Sequence, residues 1–267
     1  METQTAPRCV VISGASSGLG AALARAYAAP GRILGLCGRN ETRLAAVAEA
    51  CRQQGAQVHA ARLDVGDAAS VAAWLNQLDA AHGIDLLIAN AGVSAGTRAN
   101  GSPEGLETAC GVVRTNLLGV MNCVETVLPG MLARQRGHIA VVASIAAYRG
   151  LPDSPSYCAS KAGVLAYGEA LRGALAAGGV HVSVIVPGFF ASPMSVRYQG
   201  RKLFPLTEAQ AVARVIGGLN RHAARIVFPL RLAVLMRAAD LLPPRLGDRI
   251  IRAFAFRIED RPDEAAT

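Results

Sequence analysis

Apolar residues in this chain come in short continuous runs, and between the runs the spacing lengthens to that of a helix. Cys9 to Ser13, Ile33 to Cys37, Val58 to Val65, Ile84 to Ala89, His138 to Ala143, Val180 to Val186 and Arg225 to Phe228 are rich in branched aliphatic side chains and read as strands. Leu19 to Ala28, Glu41 to Gln53, Ala68 to Ala80, Gly105 to Arg134, Ser156 to Ala177 and Thr207 to Leu219 read as helices. In the second, Leu44, Val47, Ala48 and Cys51 fall on one face. Trp74, in the third, reads as a core anchor. Strands that are apolar throughout are buried on both faces. The alternation therefore predicts a doubly wound α/β fold, with a central parallel sheet of about seven strands and helices on both sides. No linker and no internal repeat divides it, so residues 1–267 read as one domain. In such a sheet the ligand lies outside the carboxyl ends of the strands.

Composition narrows the class. The chain has 267 residues, 52% of them hydrophobic and 17% charged, which suits a compact enzyme and argues against disorder. No apolar run reads as long enough to span a bilayer, and Met1 to Arg8 shows no signal-peptide pattern. Six cysteines, none in a C-x-x-C pair, indicate buried or incidental thiols in a reducing compartment. Cys158 follows a candidate tyrosine but points elsewhere on its helix and reads as a packing residue. The histidines have no metal-ligand spacing, so no metal is expected. The expected location is cytoplasmic.

The charge is uneven. Between Arg197 and Arg257 twelve Lys and Arg face three acids, a balance of +9 against +8 for the whole chain. From Arg231 to Leu242 the residues Leu232, Leu235, Met236, Ala239 and Leu242 share a helical face, so about 230–258 reads as a basic amphipathic extension. Such a stripe needs burial. The reading packs it on the substrate side of the domain or on a neighbouring subunit, with an anionic membrane surface as the alternative. No nucleic-acid reading motif is present.

Two constellations carry chemistry. Ser13-Gly14-Ala15-Ser16-Ser17-Gly18-Leu19-Gly20 stands between the first strand and the first helix. Glycines there permit a tight turn and close backbone approach, and the helix N-terminus offers N–H groups to a pyrophosphate. Tyr157 and Lys161 are one helical turn apart, with Ser144 upstream. A free phenol has a pKa of about 10. A fixed cation beside it favours the phenolate, which makes the tyrosine a usable proton donor or base near neutrality.

With these residues in order, the chain resembles the short-chain dehydrogenase/reductase family over roughly Arg8 to Pro229, and hence a Rossmann fold. The resemblance rests on the glycine cluster, Asp64 with Val65, Ala89-Asn90-Ala91-Gly92, Asn116, Ser144, Tyr157, Lys161 and Pro187-Gly188. It implies that Gly14, Ser16, Ser17, Gly18, Leu19, Gly20, Asp64, Val65, Asn90, Ala91, Gly92, Pro187, Gly188, Phe189 and Ser192 line a dinucleotide. It also implies that Ser144 binds the substrate oxygen, that Tyr157 is the general acid, and that Lys161 tunes Tyr157 and holds the nicotinamide ribose. Asn116 would hold a water linking Lys161 to solvent. Departures are Ser13 and Ser192 where the family often has threonine, and Ala89 where it has asparagine. The family commonly forms homo-oligomers, dimers or tetramers, through the helices matching Gly105 to Arg134 and Ser156 to Ala177.

Cofactor choice is read at the end of the second strand. An NAD site places an acid there for the ribose 2′-hydroxyl. Here stand Cys37-Gly38-Arg39-Asn40, and Arg39 suits a 2′-phosphate, so the expectation is NADP(H). Neither Ser16 nor Ser17 is the basic residue that some NADP-binding members carry in the glycine loop. The stretch from Phe189 to Phe204 mixes aromatic and aliphatic groups with Arg197, Arg201 and Lys202, and reads as a lid. The expected function is an NADPH-dependent carbonyl reductase or the reverse alcohol dehydrogenase, on lipid-like or sugar-derived substrates. The alternative is a non-catalytic dinucleotide-binding sensor.

Overall fold

A computed structural model of the chain describes residues 6–97, 101–196, 198–199, 202–252 and 257–258. The strands β1 (Cys9–Ser13), β2 (Ile33–Gly38), β3 (Gln57–Arg62), β4 (Leu86–Ala89), β5 (Gly137–Val142) and β6 (Val180–Pro187) alternate with the helices α1 (Gly18–Tyr27), α2 (Glu41–Gln53), α3 (Ala68–His82), α4 (Leu106–Val113), α5 (Gly119–Ala133) and α6 (Pro155–Ala174). After β6 come α7 (Pro193–Val196), β7 (Tyr198–Gln199), α8 (Glu208–Leu219), β8 (Arg225–Phe228), α9 (Leu230–Asp240), α10 (Pro244–Arg252) and β9 (Arg257–Ile258). Seven strands form one parallel sheet in the order β3-β2-β1-β4-β5-β6-β8, and β7 pairs antiparallel with β9. The order reverses between β1 and β4, so the helices after those strands cross to opposite faces of the sheet and the carboxyl edge there is the place for a ligand crevice.

Side-chain alternation splits each strand between two cores. Val10, Ile12, Leu34, Leu36, Leu86 and Ile88 face α1, α2 and α8, whereas Val11, Leu87, Ile139, Val141 and Val184 face the layer of α3, α5 and α6. Helix starts are fixed locally. Asn40 caps α2 by accepting from Arg43 N, Asp67 caps α3, and Thr207 with Gln210 forms a capping box on α8.

Several boundaries differ from expectation. β3 stops at Arg62 because Asp64 turns back to accept from Gly66 N at 2.8 Å. β4 starts at Leu86, after Asp85 accepts from Arg8 N and Cys9 N and ties it to the start of β1. The long helix carries a π-helical turn at 114–118 between α4 and α5. Leu106–Ala133 is also, by length and composition, long enough to cross a membrane, which corrects the reading that no run reaches that length. In the structure Val120, Val124, Val127 and Met131 of this helix are buried in the sheet-facing core. Of the C-terminal stripe, Leu232, Met236 and Ala239 are buried, Leu242 is half-buried and Leu235 is exposed. α10 was not foreseen.

Candidate active site

The loops after β1, β4 and β5 and the first turns of α6 converge at the crevice. After β1 the chain turns through Gly14 at φ +67° and Gly18 at φ +53°, conformations that side chains with a Cβ rarely adopt. A Cβ on Gly14 would lie 2.7 Å from the Ala91 Cα, and one on Gly20 would lie 2.3 Å from the Gly14 carbonyl oxygen. These glycines let the β1 loop sit directly on the β4 loop. Hydrogen bonds lock the two together: Asn90 N and Ala91 N both donate to Ser13 Oγ at 3.0 Å, and Asn90 Nδ2 donates to the Ser13 carbonyl at 3.0 Å. The Ser13 hydroxyl thus fastens the β4 loop to the end of β1. Ser17 stands at the N-cap of α1 without a side-chain capping bond, so the helix end presents backbone N–H groups. Gly38 lies under Ser16, whose Oγ would be 3.1 Å from a Cβ there, which brings the glycine loop beside exposed Arg39. Asn40 is exposed and its side chain is engaged as the α2 cap.

Asn116 falls in the π turn and is completely buried. Its Oδ1 accepts from Val93 N at 2.7 Å, and its Nδ2 donates to Val93 O at 2.9 Å and to Ser160 Oγ at 3.1 Å. Ser160 Oγ in turn donates to the Tyr157 carbonyl at 2.7 Å. The Asn116 side chain therefore joins the β4 loop to α6. Val65, by contrast, is buried against Gly119 and its carbonyl accepts from Asn122 Nδ2.

Ser144 follows β5 and caps a 3₁₀ turn at 145–147 by accepting from Ala146 N at 3.1 Å. Its hydroxyl hydrogen remains for another acceptor. Tyr157 is half-buried, and Lys161, 4% exposed, lies one turn on with Nζ 5.9 Å from the phenol ring centroid. Nζ donates to the Val142 carbonyl at 2.8 Å. Burial lowers the Lys161 pKa to about 8, so the amine is still a cation at neutral pH. A Cβ on Gly92 would come within 3.3 Å of Asn116 Oδ1 and 3.4 Å of Lys161 Nζ, so the β4 loop lies close against both. At the β6 end, Gly188 N donates to Phe228 O, Phe189 O accepts from Leu206 N, and Ser192 caps α7 through Ser195.

Two participants were missed by sequence reasoning. Ser160 carries the Asn116 link; it stands between Tyr157 and Lys161, and only the folded chain shows which side it faces. Glu104 is 7% exposed and accepts from Ser156 N at 3.0 Å and from Ser156 Oγ at 2.7 Å. It holds the first turn of α6 from 52 residues away, and nothing in its local sequence signals this.

A parallel sheet with its glycine loop at the switch point, and a lysine-backed tyrosine across the crevice, define a dinucleotide-dependent oxidoreductase. The chain belongs to the short-chain dehydrogenase family, whose model matches residues 8–202. An uncharacterized oxidoreductase of Myxococcus xanthus is 37% identical, over 92% of this chain and 96% of its own length. The ketoacyl reductase HetN of Nostoc sp. is 31% identical, over 92% of this chain and 89% of its own. Among solved structures, a short-chain dehydrogenase/reductase from Burkholderia phymatum in complex with NAD matches at TM-score 0.79 and 26% identity, covering 96% and 97% of the two chains. A short-chain dehydrogenase from Sphingobium yanoikuyae in complex with NADPH matches at TM-score 0.75 and 25% identity, covering 87% and 92%.

Proposed function

We propose that the chain is an NADPH-dependent carbonyl reductase, running in reverse as an alcohol dehydrogenase, with Tyr157 as the proton donor. The observation that carries this is the buried Lys161 ammonium 5.9 Å from the Tyr157 ring centroid, beside Gly92 of the β4 loop. The residues fit a dinucleotide. Gly14 and Gly20 let the β1 loop turn tightly and pack on the β4 loop, and the open N-terminus of α1 suits a pyrophosphate. Gly14, Ser16, Ser17, Gly18, Leu19, Gly20, Asn90, Ala91 and Gly92 would line it, with Asp64 and Val65 at the adenine end and Pro187, Gly188, Phe189 and Ser192 at the nicotinamide end. When bound, the cofactor supplies the hydride.

The protein supplies orientation and a proton. Ser144, held by Ala146 N, donates its hydroxyl hydrogen to the substrate oxygen and fixes it beside Tyr157. Tyr157 gives its phenolic proton to that oxygen as charge develops there. Lys161 stabilises the phenolate that remains, with its Nζ fixed by Val142 O and its other N–H groups left for ribose hydroxyls. Both N–H groups of the Asn116 amide are taken, by Val93 and Ser160, and its Oδ1 is held by Val93 N. The water that resupplies Lys161 would therefore use a backbone carbonyl exposed by the π turn rather than the amide itself.

NADPH over NADH is supported by Arg39 at the end of β2, where no acid stands before Glu41 and Gly38 lies against Ser16 of the glycine loop. The two solved neighbours carry one cofactor each. For the substrate we read a lipid-like ketone of the ketoacyl kind. The support is HetN and the apolar walls from Phe189, Phe190 and Leu203, which pack on the two cores. Arg197 and Arg201 of the lid fall outside the described residues. Five of six cysteines are buried and all are unpaired, which suits a reducing cytoplasm. A homo-oligomer through α5 and α6 follows the family habit, and Leu118 just before α5 and Leu132 within it are exposed; a monomer by light scattering at micromolar concentration would oppose it.

Tyr157→Phe tests the core of the proposal. With a panel of ketones and NADPH followed by nicotinamide absorbance, it should abolish turnover and leave NADPH binding largely intact. A variant that turns over near the wild-type rate refutes the role, and a wild-type protein inert on every ketone class favours the sensor alternative.

A further inference from the structure

The helix α9 is apolar on two opposite sides, and among the described residues only one of them is buried. Leu232, Ala233, Met236 and Ala239 are buried in the core beside Ile251 of α10. At roughly 100° per residue, Leu230, Val234 and Leu241 cluster within an arc of about 40° on the opposite side. They are 67%, 60% and 87% exposed, and Leu246 of α10 is 49% exposed. A surface helix normally turns polar residues outward, and a contiguous exposed apolar patch marks a contact site.

The charge around this patch has one sign. Residues 230–252 contain five arginines and two aspartates. Both aspartates are engaged by the same cation: Arg149 binds Asp240 at 3.3 Å and Asp248 at 2.6 Å. Arg237 flanks the outer face of α9 with its guanidinium over the Tyr148 ring at 4.2 Å, and Arg231 flanks it on the other side. Arg231, Arg245 and Arg249 are exposed. Both acids are thus paired with Arg149, and leucines stand exposed among cations on the outer face.

We propose that the outward face of α9 and α10 docks on an anionic lipid surface. Leu230, Val234, Leu241 and Leu246 enter the headgroup boundary, while the arginines meet lipid phosphates. A second copy of the chain complements this face less well, since a two-fold contact would set the same arginines against each other. The inference stands apart from the reading of substrate and cofactor, because no residue of the crevice takes part in it.

The test is flotation of the full chain with vesicles of phosphatidylcholine, with and without phosphatidylglycerol. Binding is expected only to the anionic vesicles, weakening by at least tenfold or so as high salt screens the arginines. The triple variant Leu230→Ser, Val234→Ser, Leu241→Ser alters exposed positions only and should lose binding while keeping its melting temperature. Arg231→Glu with Arg245→Glu and Arg249→Glu should lose it as well, and is the second arm if the serine variant folds poorly. Absence of wild-type binding, or undiminished binding by both variants, overturns the proposal. So does a serine variant that changes the oligomer size by light scattering while the wild type ignores vesicles, since a second copy then covers the face.

Discussion

Removing the carboxylate of Glu104 should loosen the helix that carries Tyr157 and Lys161. In α6, Pro155 has no N–H and the hydroxyl of Ser154 makes no capping bond, so the end of the helix depends on Glu104. That carboxylate takes both donors of buried Ser156, the residue next to Tyr157. A hydrogen bond to a charged group contributes about 1.5–3 kcal/mol net, and a carboxylate at a helix N-terminus adds ~0.3–1 kcal/mol. Against this stands the cost of burying the carboxylate, so Glu104→Ala should destabilise by about 3–4 kcal/mol. For a domain of this size that is a loss of roughly 6–15 °C in melting temperature. Glu104→Gln keeps an acceptor and the shape, and should cost about 1–2 kcal/mol. Kinetics separate positioning from bulk stability. Well below the melting transition, kcat should fall in both variants, more in the alanine. KM for the dinucleotide should rise less than kcat falls, because only Lys161 of its proposed contacts sits on the loosened helix while the glycine loop is built on β1 and α1. The assays are thermal melts and steady-state kinetics at reduced temperature. An alanine variant that melts within about 2 °C of wild type and keeps its kcat would refute the reasoning.

Arg39→Ala should weaken NADPH binding by at least about tenfold, as expected for a lost charge-assisted contact, and leave NADH nearly unaffected; equal losses measured by titration would remove Arg39 from the 2′-phosphate site. A second expectation concerns pH and the end of the sheet away from the site. His138 is buried, with Nε2 2.9 Å from Ser183 Oγ and the rings of His181 and His222 nearby, and its pKa is lowered to about 3, first by burial and then by those two histidines. The native state therefore stays neutral there while the unfolded chain takes a proton below about pH 6.5. Its contribution is full above that pH and is lost as pH falls toward 3, amounting to about 2 kcal/mol at pH 5. His138→Gln, which keeps a donor for Ser183, should flatten the fall in urea midpoint between pH 7.5 and pH 5, and an unchanged slope would rule out His138 as its source.

The alternation of apolar runs and helical stretches sufficed to indicate a doubly wound parallel sheet, because burial on both faces leaves a strand no polar positions to show. Helical spacing likewise put Tyr157 and Lys161 on one face, and the glycine cluster directly after β1 placed the cofactor loop. These are short-range facts, written within a few residues of each other. Tertiary structure decided what lies far apart in the chain. Ser13 reaches Asn90 across 77 residues and Glu104 reaches Ser156 across 52, and no local pattern encodes such partners. The π turn at Asn116 was hidden inside a uniform apolar helix, since one inserted residue barely alters its period. The C-terminal stripe gave the clearest division. Its sequence showed one apolar face in need of cover, and the fold supplied the cover by packing Leu232, Met236 and Ala239 inward. Leu230, Val234 and Leu241 then stood outside among arginines. Which side of α9 meets the core is set by what it packs on, and composition alone does not contain that.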